Sequence, residues 1–301
     1  MPSKETLFGI GRDAVEAISR HRGLYACPLC TRLLPFEAIG TRDLILEHVP
    51  AESMGGRGIL LTCETCNSTA GHTIDAAVQG RERYFDLQRA IAGRGGSFED
   101  IVRIEAGGVS TNALLNLADG KATIEVRERI NHPDHFRGQY QHLERDVPLQ
   151  GSTEIRLTAG VNFKWRHARV GDLKSAFLGA VALFGYRYAF HPRLEQVRAQ
   201  IQDPDAVLIE GAWYTVPPAF EDDPMLAVME EPFPGVLVRL RTCLIALPWT
   251  LGPDPFYPAV RDSMLAGDRD AKLTFYEWPT TMIMLLDLRG RPLNPTAPGT
   301  A

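Results

Sequence analysis

The chain has 301 residues, 45% of them hydrophobic and 23% charged, with a formal net charge of −5 and five cysteines. That length allows one large domain or two ordinary ones with a real core, and the composition is that of a globular chain with no apolar run of membrane-spanning length. The acidic balance argues against nonspecific grip on duplex nucleic acid, whose affinity rests on phosphate contacts, so any nucleic-acid surface must be a local patch, a partner's contribution or a state reached on activation.

Residues 1–8 lack the apolar core of a secretory signal. Four of the five cysteines are paired at metal spacing, which suits a reducing compartment better than a disulfide framework. The expectation is a cytoplasmic protein with no membrane partner.

In chain order, Ile10, Val15 and Ile18 stand near helical spacing, predicting a short helix over 9–21. It leads to a first knuckle, Cys27-Pro-Leu-Cys30. Residues 43–48 read as a strand ending in Glu47-His48, with Pro50 preventing its continuation. Residues 54–58 form a glycine-dependent loop, and 59–62 a second strand that enters a second knuckle, Cys63-Glu-Thr-Cys66. From Asn67 the pattern turns helical through Ile74, Val78, Phe85, Leu87 and Ile91, with Gly80 a candidate break. Residues 93–97 are the expected domain boundary.

Beyond residue 98 strand-like alternation marks 122–126, 153–157, 207–209, 236–240 and 273–276. A strong helix is predicted over 172–188 with Asp172 as N-cap, and another from Pro192 carrying Leu194, Val197 and Ile201. The tail from 292 reads as disordered. The overall expectation is an α+β protein with a zinc-stapled domain at 1–95 and a larger α+β domain at 96–301.

Two Cys-x-x-Cys knuckles can each turn two thiolates toward one ion, so Cys27, Cys30, Cys63 and Cys66 together form a closed tetrahedral site, the signature of structural Zn²⁺. Glu47 and the carboxamide oxygen of Asn67 can hold one hard divalent cation, with positions open for a phosphate and water. His48, pointing the other way along the pleat, can deprotonate an attacking water while the cation carries charge on the phosphate.

The string Cys27-x2-Cys30, Glu47-His48-Val-Pro50, Gly55-Gly56, Cys63-x2-Cys66-Asn67-x3-Gly71-x3-Asp75 resembles the four-cysteine branch of the HNH endonucleases. The resemblance covers less than a third of the chain. It implies a ββα-metal fold over residues 25 to 92, His48 as general base, Glu47 and Asn67 as ligands of a catalytic Mg²⁺ or Mn²⁺, and DNA as substrate. The C-terminal domain would then choose substrate, regulatory protein or small-molecule trigger, as in regulated cutting for restriction or phage defence. One departure stands out: residues 57–62 lack the middle Asn that orients the family's catalytic His, leaving Ser53, Glu52 or a carbonyl to hold His48. A zinc-stabilised nucleic-acid or protein binding module that no longer cuts is the competing reading.

His72 is expected to be a solvated helix histidine or a phosphate contact, Asp75 a local hydrogen-bonding partner, and Gly71 a point of close backbone approach. Residues 164–169 combine three cations with Trp165, as a phosphate-tracking segment or a strand edge with a buried tryptophan. His132 and His135 read as a turn, Cys243 as a core residue of an apolar strand, and the acidic runs at 221–223 and 230–231 as solvated turns.

Overall fold

The computed structural model describes residues 2–94, 97–106, 109–118, 121–133, 156–158, 160, 162–209, 213–215, 224–241, 243–266 and 270–283. The expectations for residues 135, 153–155, 221–223 and the tail from 292 lie outside these. Contacts divide the chain into two units, Met1–Val78 with Lys164–Ala301, and Gln79–Phe163. This division does not fall at the expected boundary near 95. Among the described residues no helix is long and apolar enough to cross a membrane.

The first unit begins with helix α1 (Lys4–Ile18), which starts five residues earlier than its apolar spacing implied. Ser3 accounts for the difference, because its side chain accepts a hydrogen bond from the Thr6 amide at 3.2 Å and caps the helix. Short strands β1 (Tyr25–Ala26) and β2 (Leu33–Leu34) pair antiparallel around the first knuckle. Strands β3 (Leu44–Val49) and β4 (Arg57–Cys63) form the antiparallel hairpin that leads into helix α2 (Glu64–Ala70). Gly56 lets the hairpin turn close on itself, since a Cβ there would lie 1.5 Å from the Pro50 carbonyl oxygen. Gly80 does not break the following helix. The irregularity falls earlier, as a π turn (Gly71–Asp75) between α2 and helix α3 (Ala76–Ile91).

The second unit is an antiparallel sheet in the order β7-β6-β5-β8. Its long hairpin, β5 (Ser97–Ala106) and β6 (Val109–Ala118), has no counterpart in the expected strands, whereas β7 (Lys121–Glu125) and β8 (Arg156–Thr158) overlap two of them. Phe98, Val102 and Ile104 alternate inward on β5 and meet Ala113, Leu115 and Ala90 in a small core.

The remaining residues return to the first unit. Helix α4 (Trp165–Phe184) starts seven residues before the expected Asp172, which sits buried inside it rather than capping it. Residues 170–184 are all buried, so the helix is enclosed on every side, and apolar periodicity could not mark its start. Helix α5 (Glu195–Gln202) buries Val197 and Ile201 as expected, with Leu194 just before it. Residues 207–209 are not a strand. The amides of Leu208 and Ile209 donate instead to Gln200 Oε1 at 3.0 and 3.2 Å, so one buried side chain satisfies backbone that would otherwise seek a ladder.

Strands β9 (Trp213–Thr215), β10 (Met225–Glu231), β11 (Gly235–Arg239), β12 (Cys243–Pro248) and β13 (Lys272–Glu277) make an antiparallel sheet in the order β13-β10-β11-β12-β9. Glu230 and Glu231 end β10 rather than forming a solvated turn, and Glu230 pairs with Lys272. Cys243 is buried in β12. Mixed helices and antiparallel sheets place the architecture in the α+β class.

Within this unit a single apolar core runs from Leu7 and Phe8 through the β3–β4 hairpin and α4 to Tyr276. The hairpin region is therefore packed into the same body as residues 164–283. At its centre Tyr25 is wholly buried, and its hydroxyl donates to the Leu61 carbonyl at 2.8 Å and accepts from the Leu61 amide at 3.1 Å. One phenol thus caps the free edge of β4. Tyr25→Phe should lower unfolding stability by about 2–6 kcal/mol, because two buried backbone groups lose their partner at about 1–3 kcal/mol each. Urea unfolding of the metal-loaded chain measures this, and an unchanged midpoint would show that another group satisfies Leu61.

Candidate metal centre and the buried polar pocket

The knuckle between β1 and β2 is closed by backbone bonds from Cys27 N to Arg32 O at 2.9 Å and from Thr31 N to Cys27 O at 2.8 Å. This tight turn aims Cys27 and Cys30 at Cys63, the last residue of β4, and Cys66, in the first turn of α2. All four sulfurs lie within 4.8 Å of one another, close enough to hold one metal ion. Cys27 and Cys63 are buried, while Cys30 and Cys66 are half-buried.

The thiols share their protons. Contact with Cys30 and Cys63 holds the Cys27 thiol well above its usual range, while contact with Cys27 draws both Cys30 and Cys63 down. A cation that takes all four sulfurs as thiolates would release the remaining protons.

Residues remote in sequence brace the first knuckle. Gln202 Nε2 donates to the Leu29 carbonyl at 2.8 Å, and the Tyr186 hydroxyl donates to the Ala26 carbonyl. The end of β3 is held likewise, by Trp278 Nε1 donating to the Val49 carbonyl at 3.2 Å.

Close to the thiols lies a second polar group. In the hairpin register Glu47 faces Leu60 and His48 faces Gly58, with Ile59 the extra residue of a bulge between them. Glu47 is 3% exposed. Its Oε2 accepts from Thr62 Oγ1 at 2.8 Å, a diagonal neighbour on the same face of the hairpin, and from Asn67 Nδ2 at 2.9 Å. Its Oε1 lies 2.7 Å from Lys174 Nζ, and the same ammonium lies 2.7 Å from Asp75 Oδ2.

The structure therefore brings Glu47 and Asn67 together as expected, but in mutual contact and around an ammonium. Asp75 is a long-range ion-pair partner rather than a local one, because the π turn carries it toward α4. Burial pushes the Asp75 carboxyl up, and Lys174 only partly offsets this. Burial also opposes the Lys174 charge, but Glu47 and Asp75 together outweigh it and hold the lysine pKa above its usual value.

Lys174 is the residue sequence reasoning missed. One signal was available: it is the only charged residue between Asp172 and Arg187, a lone cation in an apolar run. Such a lysine needs a buried anion.

His48 is half-buried beside Glu47. Among the described residues no hydrogen bond reaches its ring, so neither Ser53 nor Glu52 holds it. Its register partner Gly58 leaves no ready space for an orienting side chain, because a Cβ there would lie 2.5 Å from Leu46 Cδ2. His72 is exposed, in line with a solvated histidine. Gly71 has open space around its Cα, so no close approach requires glycine there. Residues 164–169 open helix α4 instead of edging a strand, and Trp165 is 49% exposed. His167 Nε2 lies 2.9 Å from Asp205 Oδ1.

The thiol cluster fits a metal ion. The pocket of Glu47 and Asn67 does not fit a divalent cation in this arrangement. Both carboxylate oxygens are already engaged, and Asn67 must face Glu47 with its NH₂, since two oxygens at that distance would repel. Compared with known protein families, curated proteins and solved structures, the chain matches none.

Metal analysis of the purified chain should find one tightly held ion per molecule. Cys63→Ser should lose it, whereas Cys243→Ser should keep it, lying outside the cluster. Retention of the ion by Cys63→Ser would refute the four-thiolate site.

Proposed function

We propose that residues 25–92 are the nuclease part of an HNH-type protein acting on DNA, stapled by a structural Zn²⁺ on Cys27, Cys30, Cys63 and Cys66, and seen here in a resting arrangement. The observation that carries this reading is the meeting of Glu47, from the end of β3, with Asn67, from α2, at 2.9 Å, with His48 next in the chain. A carboxylate, an imidazole and a carboxamide on a thiol-clamped hairpin and helix are parts with which phosphodiester hydrolysis can be carried out.

In this reading the zinc sets the geometry and takes no part in the reaction, because four thiolates leave no position open. His48, on the other side of the pleat from Glu47, accepts the proton of the attacking water. The Mg²⁺ or Mn²⁺ of the sequence expectation does not fit the pocket as it stands, and no step is assigned to it. The acidic net charge agrees with a protein that engages DNA only when triggered, the trigger being a partner or small molecule read by the rest of the chain.

A second reading is a zinc-stabilised binding module that does not cut. A His48 ring with no hydrogen-bonding partner among the described residues favours it, since a general base works best when its tautomer and orientation are fixed.

The deciding experiment is plasmid cleavage by wild type and His48→Ala, each with Mg²⁺, Mn²⁺ and EDTA. In the nuclease reading, whatever cutting the wild type shows falls by about 10²-fold or more in the variant, with metal content and fold unchanged. Equal rates for the two would remove His48 from the reaction. DNA binding without turnover under every ion would favour the module.

A further inference from the structure

We propose that Lys174 is the resident cation of the pocket formed by Glu47, Asn67 and Asp75, and that the docked lysine and a divalent cation exclude each other there. The inference rests on the pocket's own geometry and stands whether or not the chain cuts DNA.

The ammonium is placed as a metal ion would be. Its Nζ lies 2.7 Å from an oxygen of each carboxylate, and its side chain is 3% exposed. The second Glu47 oxygen is taken by Thr62 and Asn67 at 2.8 and 2.9 Å. A Mg²⁺-type ion demands oxygen ligands at about 2.0–2.1 Å in near-octahedral order. To reach Glu47 it would have to displace Nζ from Oε1 or the two donors from Oε2. To use Asn67 it would also have to turn the amide over.

Charge points the same way. Glu47 and Asp75 carry two negative charges, and with Lys174 between them the pocket retains one. A divalent ion added beside the lysine would meet a neighbouring cation and only one uncompensated charge. With the lysine gone, the two carboxylates match a divalent ion.

The position of Lys174 is rigidly fixed. Residues 170–184 are buried. One turn before the lysine, a Cβ on Gly171 would lie 2.7 Å from the Ile74 carbonyl oxygen and 2.4 Å from Val78 Cγ2, so α4 approaches the backbone of the π turn directly. Withdrawal of the ammonium would therefore need a shift of α4 against that turn. The occupant of the pocket is decided by a helix outside the hairpin and knuckles.

The test is Mn²⁺ binding to the full chain with its thiol site loaded, followed by the electron paramagnetic resonance signal of free Mn²⁺. The wild type should show no bound Mn²⁺ that Glu47→Gln removes. Lys174→Ala and Lys174→Met, checked for unchanged thiol-bound metal and circular dichroism, should bind one Mn²⁺ at least about tenfold more tightly than the wild type. Adding Glu47→Gln to either should abolish that gain. A wild-type Mn²⁺ site lost in Glu47→Gln would overturn the proposal, and this arm decides even if the lysine variants fail to fold. Folded lysine variants that bind no better than the wild type would overturn it as well. The readout is ion binding rather than cleavage, so it separates this proposal from the nuclease reading.

Discussion

An ammonium group enclosed in protein has to be paired, and the pairing of Lys174 sets how the first unit is put together. Taking such a charge out of water costs several kcal/mol unless opposite charges and hydrogen bonds replace the solvent. Glu47 and Asp75 provide both, one from a β-strand and one from the π turn between two helices. Slipping α4 by one residue would carry the lysine about 100° around the helix axis and leave the buried Glu47 and half-buried Asp75 carboxylates without their cation. The ion pairs thus act on register and orientation, while the surrounding apolar core provides the driving force.

The thiol cluster and the lysine pocket are joined through a few residues of one hairpin. Thr62 bonds Glu47 and is followed by Cys63. Asn67 bonds Glu47 and follows Cys66. The thiol cluster and the polar pocket therefore share strand β4 and the first turn of α2, and neither can shift alone. Tyr25 adds a third link, since its hydroxyl occupies the outer edge of β4 beside the first knuckle. A small thiol-clamped element would ordinarily depend on its metal for most of its stability. Here Gln202, Tyr186 and Trp278 also hold its backbone from the C-terminal residues, which makes the clamp one support among several.

This integration bears on function. An independent catalytic module tethered to a regulatory domain would carry its own core and a complete site. The hairpin here completes its core with α4, and the same helix supplies the charge in its polar pocket. Regulation, if the chain is a nuclease, need not act through a mobile linker. On the exchange proposed above, a shift of α4 against the π turn would change the occupant of the pocket, and tightly packed elements favour two discrete arrangements over gradual deformation.

The parts of the site that lie close in the chain are legible in the amino-acid sequence. Two Cys-x-x-Cys knuckles announce their cluster because a two-residue spacing brings sulfurs together whatever the rest of the chain does. The strand ending in Glu47-His48, the second strand and the Asn67 helix follow from apolar patterning and the intervening glycines. The start of α4 is hidden because a helix buried on all sides has no polar face to give it a period, and the 207–209 run misleads because a single side chain, Gln200, takes the amides that a strand would have paired. What Asn67 and Glu47 do for each other is also beyond the sequence: their spacing suits shared ligation of a cation as well as a direct hydrogen bond. The tertiary structure chooses the second by bringing Lys174 to Asp75 across 99 residues. That choice is non-local because an ammonium and its carboxylates need no fixed spacing along the chain, only a fold that buries all three together.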